Sequence, residues 1–187
     1  MGKIYRLFAN RGTFVAVDLG STAIKIAKIR YSNDEAAIRE LYKFPIPEGM
    51  LSSWLSGEDD SLNGVLEKAV SDLNLKGNQV VTTLPGGKVI TRHIQMPSMP
   101  NRELKRALKW EANRLIPIPL NDMTVRHVKL KEVLEGGVKK TNLLLIACSS
   151  ELLYKYQETF KKAGLCISSI DLQNLALWRL FAEKQWQ

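Results

Sequence analysis

Apolar positions along the chain change period several times, and each change marks an element. Phe14-Val-Ala-Val-Asp18 is an apolar run that ends on an acid and breaks at Leu19-Gly20-Ser21-Thr22. Ala23-Ile-Lys-Ile-Ala-Lys-Ile29 then alternates with period two, as a strand does. A third strand is expected over 36–44, stopped by Pro45 and Pro47, so a tight Gly-Ser turn and three strands make a meander. Residues 45–60, rich in Pro, Gly and Ser, read as a loop. Asp59, Asp60 and Ser61 carry the start signals of a helix whose Leu62, Val65, Leu66, Ala69, Val70 and Leu73 keep helical spacing. Gln79–Leu84 is a short strand ended by Pro85-Gly86-Gly87.

A second unit starts there. Val89–Met96 alternates as a strand, Pro97 and Pro100 bracket a turn, and Asn101 caps a helix reaching Leu115. Leu104, Ala107, Leu108, Ala112 and Leu115 form one face of that helix, and Arg102, Lys105, Arg106 and Lys109 the other. Trp110 falls on the border between them. Strands near 124–133 and 141–148, joined at Gly136-Gly137, make a hairpin. A helix capped by Ser149 or Ser150 runs to Gly164, a strand covers 165–172, and an apolar helix covers 173–183. The second unit thus reads strand, helix, strand, strand, helix, strand, with its helices on one face of a sheet.

Charge changes the picture locally. The 187 residues carry 27 Lys+Arg and 19 Asp+Glu, a net +8. Residues 88–140 hold 12 basic and 5 acidic residues, so nearly all of the excess lies there. A basic helix face is ordinarily a solvated face. A partner or membrane-surface contact is the sharper reading of residues 102–114, and without an aromatic ladder or recognition motif nucleic acid is not expected. Ile4, Tyr5, Leu7 and Phe8 among Lys3, Arg6 and Arg11 read as a strap packed on the protein or a frayed end, with a bilayer contact as the sharper alternative. No apolar run is long enough to span a bilayer, and the N-terminus lacks a signal core, so a cytoplasmic protein is expected. Cys148 and Cys166 read as buried thiols; they and the two histidines show no metal-ligand spacing, and no metal site is expected. Leu175, Leu177, Trp178, Leu180 and Phe181 of the last helix read as core.

One motif carries chemistry. In Asp18-Leu-Gly20-Ser21-Thr22-Ala-Ile-Lys25, Gly20 permits a turn of unusual backbone angles whose N–H groups can face an anion. Ser21 and Thr22 add hydroxyl donors, Lys25 adds a cation, and Asp18 could orient a hydrated magnesium ion. A hairpin turn also favours Gly and Ser with no ligand at all. The dinucleotide fingerprint is excluded, because it needs a helix directly after its glycines and here a strand follows. No general base, and so no catalytic residue, is visible.

The order strand, D-x-G-S-T-x-x-K, two strands, helix, strand resembles the opening of the actin/Hsp70/sugar-kinase fold. Ile46-Pro-Glu-Gly49, Thr82-Thr-Leu-Pro-Gly86, Thr91-Arg92, Met96-Pro-x-Met-Pro100, Leu104–Ala112, Ile116-Pro117, Ala163-Gly164-Leu165, Ile170-Asp171 and Ala176-Leu177 narrow the resemblance to the PilM family of type IV pilus assembly, related to FtsA. It covers about residues 12–182. The resemblance implies an α/β class of α+β mixed sheets: an actin-like, ribonuclease-H-like subdomain over 1–85 and 167–187, with a small inserted β-α-β-β-α-β subdomain over 86–166. It implies a non-catalytic cytoplasmic scaffold, peripheral at the inner membrane, that holds the N-terminal tail of a PilN-like membrane protein in a groove between the two subdomains. By position, Asp18, Gly20, Ser21, Thr22 and Lys25 match the first phosphate motif of relatives that bind ATP and Mg. The second phosphate motif and the adenosine pocket belong to the half of the fold that would follow residue 187, so tight ATP binding by this chain is not expected. An actin-like enzyme and an FtsA-like division protein are the alternatives. If a following half normally covers the last helix, the chain should expose an apolar patch there and self-associate.

Overall fold

The structure is a computed structural model that describes residues 12–32, 35–116 and 118–182. They form two compact units, one of residues up to Leu84 together with those from Lys155 on, the other Pro85–Tyr154.

In the first unit β1 (Gly12–Leu19), β2 (Ala23–Ser32) and β3 (Glu35–Pro45) pair antiparallel as the expected meander. β4 (Gln79–Leu84) lies parallel to β1, and β8 (Cys166–Leu172) parallel to β4, giving a five-stranded sheet in the order β3-β2-β1-β4-β8. Alternation sorts its two faces. Val15, Val17, Leu19, Ile24, Ile26, Val80 and Leu84 are buried, while Phe14, Ala16 and Val81 on the other face are only half-buried. The buried face is matched by buried apolar side chains of α1 (Met50–Ser56), α2 (Ser61–Asp72) and the later turns of α4 (Ser150–Lys162).

Asn63 ties these helices together. Its Oδ1 accepts from the Trp54 indole N–H at 2.9 Å and from the Thr159 hydroxyl at 3.0 Å. Trp54, fully buried, meets Tyr156 edge-on at 5.2 Å between ring centroids, and Tyr156 stacks on Phe160 at 6.1 Å. α1 differs from the expected loop. Gly49 and Gly57 bound it with φ of +83° and +85°, a conformation that side chains resist, so the residues that made the segment look like a loop are its caps.

The second unit is an antiparallel sheet in the order β5-β7-β6: β5 (Val89–Pro97), β6 (Met123–Glu135) and β7 (Val138–Ser149). Gly136 and Gly137 turn the β6–β7 hairpin with φ of +58° and +76°, the two left-handed positions that a two-residue loop requires. One face packs under α3 (Asn101–Leu115), whose Leu104, Leu108 and Ala112 meet Met96, Leu143, Leu145 and Ala147. Pro100, not Asn101, is the N-cap of α3.

The β-α-β-β-α-β pattern read from local spacing is therefore corrected at its last strand, all but the first residue of which falls within the 167–187 that the resemblance gives to the first subdomain. Its last strand, β8, pairs with β4 in the first unit, so the insert's own sheet has three strands. Its last helix, α4, places buried Tyr156 and Phe160 in the first unit. Two side-chain expectations also change. Cys148 is buried as expected, but Cys166 is exposed. α5 (Gln173–Ala182) leaves Leu177, Trp178 and Phe181 more than half exposed, so these are not core residues. The N-terminal segment with Ile4, Tyr5, Leu7 and Phe8 lies outside the described residues.

Candidate functional site

The carboxyl ends of three neighbouring parallel strands present one polar row. Asp18, Thr83 and Asp171 are each the penultimate residue of their strand, β1, β4 and β8. The register sets Thr83 directly beside Asp171, and the Thr83 hydroxyl donates to Asp18 Oδ1 at 3.2 Å. On the other side of Asp18, antiparallel pairing puts Lys25 opposite it, and the ammonium lies 3.1 Å from Oδ2. Arg179 of α5 closes the far end with an ion pair to Asp171. The row is thus cation, acid, hydroxyl, acid, cation, and each charge has a neighbour of opposite sign.

Beneath the row lies a cavity of about 320 Å³ on the sheet's less buried face. Phe14, Ala16, Ala27, Leu41, Val81 and Ala176 give it apolar walls, while Asp18, Lys25, Thr83, Ser169 and Asp171 supply its polar margin. An apolar cavity with a few convergent polar groups, at the carboxyl end of parallel strands, is where open α/β sheets hold ligands.

The five residues expected to form a phosphate motif come together only in part. Gly20 is needed, though not for a left-handed turn, since its φ is not positive. A Cβ there would lie 2.9 Å from the Ala23 carbonyl oxygen and 3.3 Å from Lys25 Nζ, so only hydrogen fits. The Gly20 N–H donates to that same carbonyl at 3.1 Å and is committed to the turn. Ser21 and Thr22 stand exposed at its tip. A phosphate here would meet Lys25 and those two hydroxyls, while a magnesium ion on Asp18 would first have to displace the ammonium. The residues fit one arm of a phosphate cradle. Among the described residues no cluster of three or more His, Cys, Asp or Glu could hold a metal ion.

Sequence reasoning missed Thr83, Asp171 and Arg179. Each of the first two precedes the last residue of an apolar strand, as Asp18 does, and that shared position was the signal.

Two buried hydroxyls of this unit, Thr82 Oγ1 and Tyr156 Oη, have no hydrogen-bond partner. Burial pushes the Tyr156 phenol well above its ordinary value, and the negative charge of Asp18 adds to that shift.

Solved structures share this fold. The chain is similar to the one described as "PilM-PilN type IV pilus biogenesis complex", with 26% identity and a TM-score of 0.77 over 93% of this chain and 52% of the other. It also shares its fold with the cytoplasmic domain of EpsL, an inner membrane component of the type II secretion system of Vibrio cholerae. That match has 13% identity and a TM-score of 0.58, covering 86% of this chain and 57% of that one. The chain spans about half the length of the solved relatives it matches. In class it is an actin-like α+β fold with a small inserted sheet. The family model described as type IV pilus assembly protein PilM matches residues 16–185, and the chain belongs to the PilM family. Among the described residues no helix is long and apolar enough to cross a membrane.

Proposed function

We propose that this chain is a non-catalytic scaffold of a type IV pilus or related secretion or DNA-uptake machine, working on the cytoplasmic side of the inner membrane. It docks the N-terminal tail of a PilN-like membrane protein and is held peripherally at the membrane through that contact. The observation that carries the reading is its membership of the PilM family, together with the likeness to a PilM solved as a complex with PilN. The fold offers the means. β3 and β8 are the outer strands of one sheet and β5 and β6 of the other, and an extended peptide adds to such an edge through main-chain hydrogen bonds. Both carboxylates of the polar row, Asp18 and Asp171, are paired with a cation, which favours a scaffold over a hydrolase. Co-purification of the chain with a tagged PilN-like tail tests the proposal, and failure of the tail to retain it above a scrambled peptide would sink it.

A second reading rests on the polar row and its cavity: Asp18, Gly20, Ser21, Thr22 and Lys25 anchor the phosphates of ATP with Mg. Titration with magnesium and ATP separates the two. Micromolar, magnesium-dependent binding that Lys25→Ala removes favours the nucleotide reading, and its absence favours the plain scaffold.

A further inference from the structure

The solvent-exposed side of α3 is rich in cations. Leu104, Leu108 and Ala112 are spent on the core. About a third of a turn round the helix from them, Arg102, Lys105, Arg106 and Lys109 are all exposed, at the spacings that bring side chains onto one helix face. None of the four has an ion-pair partner among the described residues, whereas Arg114, further along the helix, is held by Glu111 at 2.7 Å. Trp110 stands at the edge of this face and is 79% exposed, the most of any large apolar side chain described.

The positive field reaches the neighbouring strand. His127 of β6 is made less basic first by partial burial and then by the charges of Lys129 and Lys105. A helix cation and a strand cation thus act on one imidazole.

Unpaired Arg and Lys side chains are drawn to anionic lipid, and an indole ring, apolar with one N–H, suits the headgroup level. A nucleic acid would use the same cations but give a lone exposed Trp little to do, since single strands are held by several stacking aromatics. We propose that the outward face of α3 rests on an anionic lipid surface, with Arg102, Lys105, Arg106 and Lys109 against the headgroups and Trp110 seated among them. Because the apolar face of α3 is already buried, the helix lies on the bilayer without sinking into it, and the contact is weak and salt-sensitive. The inference stands on this helix and does not depend on tail docking.

Co-sedimentation of the whole chain with vesicles tests it, comparing phosphatidylethanolamine containing about one third phosphatidylglycerol with phosphatidylcholine alone. The chain is expected to sediment with the anionic vesicles only, and to be released at about 0.5 M salt. Combined Arg102→Glu, Arg106→Glu and Lys109→Glu should weaken binding at least about tenfold, because three cations near a charged surface are reversed. The corresponding Gln variant should give a smaller loss with an unchanged circular dichroism spectrum, and Trp110→Ala a measurable one. Equal binding to neutral vesicles, full binding by the charge-reversed variant, or displacement from anionic vesicles by duplex RNA with no effect of Trp110→Ala would each overturn the proposal.

Discussion

Lys25 and Asp18 face each other across the first hairpin, Nζ to Oδ2 at 3.1 Å, on the strand ends where a phosphate motif was expected. The pair is partly exposed, with 51% of the Lys25 side chain accessible, so its contribution to folding is small. Lys25→Ala should change the unfolding free energy by no more than about 1 kcal/mol in urea titration. Gly20→Ala should cost about 1–3 kcal/mol, because a methyl group at 2.9 Å from the Ala23 carbonyl oxygen forces the turn to open. Equal losses from the two substitutions would contradict this division of roles.

Trp54 is the anchor of α1. It is fully buried, bonded to Asn63 and packed against Tyr156. Trp54→Ala should cost about 3–5 kcal/mol by chemical denaturation, comparable to other large core truncations. A loss below about 1 kcal/mol would mean that α1 is not part of the core.

Tyr156 gives the fold an alkaline limit. Burial holds its ionisation above the ordinary tyrosine value of about 10, so the folded protein holds this proton more tightly than the unfolded chain. The stabilisation from the neutral phenol is fully present below pH 10 and is lost as pH rises beyond it. Tyr156→Phe removes both the titration and a buried hydroxyl that lacks a partner. It should be neutral or slightly stabilising at pH 7, and should flatten the stability loss above pH 10 in thermal melts taken across pH.

α5 exposes Leu177, Trp178 and Phe181 at 51%, 62% and 65%. A helix of this kind buries apolar area when two copies meet. Sedimentation velocity should show concentration-dependent association, and Trp178→Ser with Phe181→Ser should shift it toward monomer. A wild-type monomer at the highest concentrations would contradict this.

Much of the fold was legible locally. The period-two runs and the 3.6-residue spacing of 62–73 and 104–115 placed most strands and helices, and Gln79–Leu84 has the expected bounds. α1 was hidden because its caps are glycines and only Leu51 and Trp54, three residues apart, announce a buried face. Local pattern alone groups β8 with the insert, since its pairing with β4 joins residues more than 80 positions apart, and only the family resemblance gives 167–187 to the first subdomain. α5 is apolar around most of its circumference, so its composition resembles core while its surroundings leave it open. In the site, Asp18, Gly20 and Lys25 share one hairpin and could be read together. Thr83 and Asp171 reach Asp18 only through parallel pairing of distant strands, which sequence spacing does not display.

The scaffold reading rests most directly on one contact. Isothermal titration of the whole chain with a synthetic peptide of the PilN-like N-terminal tail, against a scrambled peptide of equal composition, measures it. Saturable one-to-one binding of the native tail alone, unchanged by Lys25→Ala, is the expected result. No heat above the scrambled control, at concentrations where the chain is folded, would contradict it.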